Sequence, residues 1–173
     1  MMTVDEYAKL SRGDRLKRLA RGPDDLGAAI QGHGDDVLAR RPDGRNWAPK
    51  EVVCHMRDIE ELLMTRLTLV VATNEPKLVG FDPDKTPDRW AEERQYLRND
   101  IGEALAAFRR RRGESLEFLR GLTPEQWDRS AIHPTRGRMT IDDFVTLETW
   151  HDENHLEQLK RGLVLWPHSQ GRE

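Results

Sequence analysis

The sequence predicts an all-α protein: a four-helix bundle with a long crossover between its second and third helices. Three observations carry this. Apolar residues recur at three- and four-residue spacing through four long segments, the pattern of helices that each bury one face. Strand signals are nearly absent. A proline-containing connection between the second and third segments is long enough to cross the molecule.

The first segment runs from about Asp14 to Arg41. Gly27, Gly32 and Gly34 weaken its interior, so a helix followed by a shorter helix is expected. The second begins after Asn46-Trp47-Ala48-Pro49, where Pro49 suits a first helical turn, and continues to about Thr73. Residues Asn74 to Pro87 contain three prolines and few apolar side chains, and about fourteen extended residues can reach roughly 45 Å. The third segment, about Asp88 to Gly121, places Ile101, Leu105, Phe108, Leu119 and Leu122 on a bundle seam that Arg112 and Ser115 interrupt. Thr123-Pro124-Glu125 opens a short turn around Trp127, and His133 to Gly137 reads as loop. The last helix starts at Thr140, a good cap, and ends near Gly162, just after Lys160 and Arg161.

The totals suit one domain spanning 1–173. The chain has 173 residues, 36% hydrophobic and 34% charged, with a formal net charge of -3. That near balance argues against a nucleic-acid partner. No apolar run approaches the ~20 residues of a membrane span, and the amino terminus lacks a signal-peptide pattern, so a cytoplasmic protein is expected. The single cysteine, Cys54, cannot form an internal disulfide.

Three histidines carry the chemistry. His151 and His155 lie one turn apart on one helix, so their rings can converge on one ion, and His55 on the second helix can supply a third nitrogen. Three protein ligands with a vacant position is the arrangement of a catalytic zinc-type site. His55 shares a stripe with Val52, Ile59 and Leu63, and the pair shares one with Phe144, Leu147 and Leu159, so all three face inward. His55 lies about seven residues into its helix and His155 about six before the end of its own, each about 10 Å from a helix end. Those levels match only if the second and fourth helices are antiparallel, which requires the crossover. Two readings stay open at this point: a metal site, or hydrogen-bonded core histidines.

The stretch Arg41 to Glu60, with Trp47, a small residue and then His55-x-x-Asp58-x-Glu60, resembles a segment of DinB/YfiT-like proteins. His133 to Ile141 followed by Trp150-His151-Asp152-Glu153-Asn154-His155 resembles that family's closing loop and metal-binding helix. The resemblance implies a crossover four-helix bundle, commonly a homodimer, that binds a divalent metal such as zinc or nickel through His55, His151 and His155. It also implies chemistry of the kind found among characterised relatives, which include enzymes using a low-molecular-weight thiol.

A three-imidazole ion can lower the pKa of water or a thiol, so metal-assisted hydrolysis or thiol-dependent S-transfer of a small-molecule substrate is expected. The rival is a non-catalytic metal-binding stress-response or interaction protein. Glu148 and Asp58 each lie one turn from an expected ligand. Either is a ligand-orienting acceptor, a general base or a surface carboxylate. Cys54 points about 100° away from His55 and reads as a core residue. Trp47 and Trp150 flank the ligands as packing anchors or substrate walls. His33, His133 and His168, in break, loop and tail contexts, are left outside the site. The run Arg109 to Arg112 goes nearly round its helix, which brings Arg112 onto the seam. With the third helix starting near Asp88 and parallel to the second, Arg112 lies some 25 Å beyond the metal level. Its expected roles are a buried carboxylate partner, a dimer contact or stem packing.

Overall fold

A computed structural model describes residues 2–164, so His168 lies outside the described residues. Local signals place each helix start. Thr3 and Glu6 close a reciprocal capping box on α1 (Val4–Ala8), and Ser11 caps α2 (Arg12–Ile30) through the Asp14 amide. Gly32, at φ 81°, turns the chain into α3 (Asp35–Leu38). The break therefore falls after Ile30, and Gly27 stays helical, packed against Leu105. Pro49 opens α4 (Pro49–Ala72), where Glu51 reaches back to the Ala48 amide at 2.9 Å. Arg41 grips that carboxylate with two nitrogens, at 2.8 and 2.6 Å.

The third segment is shorter than its periodicity suggests. It divides into α5 (Thr86–Glu93), a 3-10 turn (Tyr96–Arg98) and α6 (Ile101–Arg120). Gln95 breaks the path at φ 51°, and Asp100 caps α6. Thr123 caps α7 (Pro124–Trp127). The expected loop at 133–137 is the bend of an antiparallel hairpin, β1 (Ser130–His133) with β2 (Gly137–Thr140), in register from Ser130 opposite Thr140 to His133 opposite Gly137. Gly137 takes the positive φ of 72° that this tight connection needs. The crossover adds to the hairpin: the Leu78 amide donates to the Ile132 carbonyl and the Ile132 amide to the Pro76 carbonyl, both at 2.9 Å. The last helix, α8, runs Ile141–Val164.

Contacts between named residues fix the helix directions. Arg112 of α6 meets Glu60 of α4, while Tyr96 just before α6 meets Asp58, so α4 and α6 run parallel. The α8 residue Gly162 approaches Pro49, whereas His151 lies against His55, so α4 and α8 are antiparallel. Arg12 pairs with Asp142 and Arg18 with Glu153, making α2 and α8 parallel. The result is an up-down-down-up bundle with the crossover between α4 and α6, as the histidine levels require.

Two apolar clusters fill the interior. One gathers Leu63, Leu67, Val70, Leu119, Ile141, Phe144 and Val145. The other gathers Leu26, Val52, Val53, Met56, Tyr96, Phe108 and Leu159. Between them, each long helix contributes a polar residue or a glycine to a layer across the bundle: Gly22, Glu60, Arg112, Glu148 and Asp152. This layer accounts for the interrupted seam of α6.

Candidate metal centre

The three histidines come together. Their candidate ligand atoms all lie within 4.8 Å of one another, and the Nε2 atoms of His55 and His151 are 3.1 Å apart. Two nitrogens bound tetrahedrally to zinc at ~2.0–2.1 Å would themselves be about 3.3 Å apart, so the spacing suits a shared ion. Gln158 Oε1 accepts from His155 Nδ1 at 2.7 Å, which leaves the Nε2 lone pair of that ring free for a ligand bond. Burial, followed by the charges of His155 and His151, holds His55 well below the usual imidazole range. Burial and His151 likewise bring His155 to about 3. Both rings are therefore neutral at ordinary pH, the form that binds a metal. His151 is shifted upward: burial opposes protonation, but Asp152 and Glu148 outweigh it.

The indole of Trp47 holds this cluster from one side. It stands edge-on to His55, with centroids 4.9 Å apart, and stacks over His155 at 6.2 Å. Its Nε1 donates to Asp88 at 2.9 Å, which ties it to the start of α5. Beyond the rings opens a cavity of about 530 Å³ with Ile59, Leu63, Phe81, Phe144, Leu147 and Trp150 among its walls.

The carboxylates separate. Glu148 lines the cavity, 3.8 Å from His151 Nδ1 and 3.6 Å from Arg112. Burial pushes its carboxyl up to about 7, with His151 pulling down and Asp152 and Glu60 pushing further up. Asp58 lies elsewhere: it accepts from Arg57 and Arg94, each at 2.7 Å, and from the Tyr96 hydroxyl at 2.8 Å, binding the 3-10 turn to α4. Cys54 is buried, and burial raises its thiol to about 11, so it supplies no thiolate near neutrality.

Groups that sequence reasoning set aside or never weighed belong to the surroundings of the histidines. Arg112 is 2% exposed and binds Asp152 at 2.5 Å, Glu60 at 2.6 Å and the Leu19 carbonyl at 2.9 Å. Asp152 in turn stands 4.0 Å from His151 Nδ1. The later start of α6 brings Arg112 to the Glu60 level, about five residues or 8 Å along α4 from His55, rather than some 25 Å away. Of the four arginines, Arg109 pairs with Asp24 and Arg111 with Glu61. His133 ends β1 buried rather than solvated and lines the cavity, as Arg66 of α4 does.

Fold and histidine face together define a crossover four-helix bundle in which three histidines are grouped closely enough that they could hold a metal ion. The chain belongs to the DinB superfamily, which it matches over residues 18–159. It is 25% identical over 159 residues to the "Putative metal-dependent hydrolase OB0413" of Oceanobacillus iheyensis, covering 86% of this chain and 83% of that protein. It is 23% identical over 156 residues to the "Putative metal-dependent hydrolase YfiT" of Bacillus subtilis, covering 90% and 85%. The solved structure of YfiT, described as having "an unusual four-helix bundle topology", superposes with a TM-score of 0.80 at 23% identity over 89% of this chain and 88% of that one.

Proposed function

We propose that the protein is a metal-dependent hydrolase of small molecules, with His55, His151 and His155 as ligands of one divalent ion, zinc or nickel. The carrying observation is the convergence of three imidazoles, one buried and two half-buried, at the wall of a cavity of about 530 Å³. A divalent ion held there supplies Lewis acidity and makes water or a thiol more acidic. The chain's own residues do the rest. Trp47 and Gln158 fix the ring orientations. Glu148, in the cavity beside His151, is placed to accept and return a proton, and the apolar walls exclude bulk water from the reacting bond.

Elemental analysis of the untagged protein tests the ligands. About one ion per chain is expected in the wild type, and most of it should be lost in H55A, H151A and H155A. Full metal content in all three variants would sink the assignment. Turnover of an ester and amide panel, with and without added low-molecular-weight thiols, then separates hydrolysis from thiol transfer. Chelation should abolish either activity while the fold persists. A fold that collapses on chelation would instead mark a structural ion in a non-catalytic protein.

A further inference from the structure

On α4, His55, Ile59, Leu62, Leu63 and Arg66 all line the cavity. Arg66 lies eleven residues beyond His55, about 16 Å along the helix at 1.5 Å per residue. Its environment is unusual for a guanidinium. Nη2 is fully buried and bonded to nothing among the described residues. The ring of Phe81 lies 5.5 Å from its central carbon. The nearby carboxylate does not partner it: Glu148 Oε1 lies 3.6 Å from Arg112 and 3.8 Å from His151 without a hydrogen bond, and no ion pair joins Glu148 to Arg66 among the described residues. Burial draws the Arg66 guanidinium below its ordinary value, and Glu148 offsets that only through space. Leaving a buried N–H of a part-buried guanidinium without an acceptor is unfavourable. Such a cost persists where a ligand completes the pair.

The same wall carries one further cation and one further hydrogen-bond donor. Arg136, exposed on the hairpin bend, and buried His133 line the same cavity. The Thr135 amide donates to His133 Nδ1 at 3.3 Å, so the neutral ring carries its proton on Nε2 and is a donor there. Between this wall and the histidines the lining is mostly apolar and aromatic.

We propose that Arg66 is the anchor for the carboxylate of an elongated substrate with an apolar body, whose opposite end reaches the histidine cluster. A planar fork matches a carboxylate in two parallel hydrogen bonds. One part-buried guanidinium with Glu148 in range balances at most one negative charge, which favours a monoanionic carboxylate over a phosphate. The inference rests on the hydrolase reading only for which end of the substrate reacts.

Binding to the chelated, metal-free full chain tests it without any turnover. The probes are 3-phenylpropionate and the neutral 3-phenylpropan-1-ol, followed by calorimetry and by quenching of the tryptophan fluorescence. The carboxylate should bind about tenfold more tightly than the alcohol, and R66Q should erase that preference while leaving alcohol binding unchanged. R136Q should weaken the carboxylate by a smaller factor. Equal affinity for the two probes in the wild type overturns the proposal. So does carboxylate binding that is indifferent to R66Q, or that appears only in zinc-loaded protein. Should R66Q fail to fold, Arg66→Lys decides, because it keeps the charge and loses the fork: reduced carboxylate affinity supports the anchor and unchanged affinity removes it. Carboxylate binding through Arg66 in a protein that hydrolyses nothing would leave the anchor standing and remove the hydrolase reading.

Discussion

Arg112 shows how one side chain organises the interior. It is almost wholly buried, and Glu60 and Asp152, themselves buried, face it from two other helices. The attraction of Asp152 and Glu60 outweighs burial and holds the guanidinium well above its ordinary range. Arg112→Met should destabilise the protein by roughly 3–5 kcal/mol in urea unfolding, because two buried carboxylates lose their counter-charge. A loss below about 1 kcal/mol would show that the layer is solvated. The same variant frees Asp152 beside His151 Nδ1, so metal affinity should fall with stability. The histidines were legible in the sequence because capping signals locate the ends of α4 and α8, and residues can be counted from those ends. Arg112 was not, because its level depends on where the third helix begins. The break at Gln95 uses a left-handed residue that is neither glycine nor proline. Asp100 before Ile101, a good cap, was the available signal.

At the scale of elements, the polar layer sets how closely the helices approach. A Cβ on Gly22 of α2 would stand 2.8 Å from Asp152 Oδ2 and 3.6 Å from Arg112 Nη1. Neither group is a free side-chain end, since each holds the other. Gly22→Ala should therefore cost about 1–3 kcal/mol despite its better helix propensity, read as a lower melting temperature. Stabilisation would mean that α2 can move away from α8. The hairpin escaped sequence reasoning for a different reason. Each strand has four residues, Ser130-Ala131-Ile132-His133 and Gly137-Arg138-Met139-Thr140, too short for alternation to stand out from loop. Gly137 was the one local hint. Missing the hairpin meant treating His133 as solvated.

For the whole molecule, direction and acid stability are linked through Asp58. This carboxylate ties the 3-10 turn, and with it the parallel start of α6, to α4. Burial raises its pKa, but Arg57 and the Tyr96 hydroxyl outweigh burial, and the folded value lies below the ordinary 3.8. A depressed carboxylate pKa contributes stability that is present above the unfolded value and lost as pH falls through the folded one. Asp58→Asn should accordingly destabilise the bundle at neutral pH by about 3 kcal/mol. The gap to wild type should close in acid below 3.8. A gap that stays constant across that window would assign the effect to packing rather than charge. The up-down-down-up order itself was legible, because three histidines on two helices can meet only in that arrangement.

The crossover is fastened at two places, by the backbone pairing of residues 76–78 with β1 and by the Trp47–Asp88 hydrogen bond. Between them, Phe81, Pro83 and Pro87 supply cavity wall without belonging to any of the four long helices. Sequence drift in that span can reshape the chamber while the histidine floor, built on α4 and α8, keeps its geometry. Divergence of substrate preference within the superfamily should therefore concentrate between residues 79 and 87, leaving the histidine face as the inherited part.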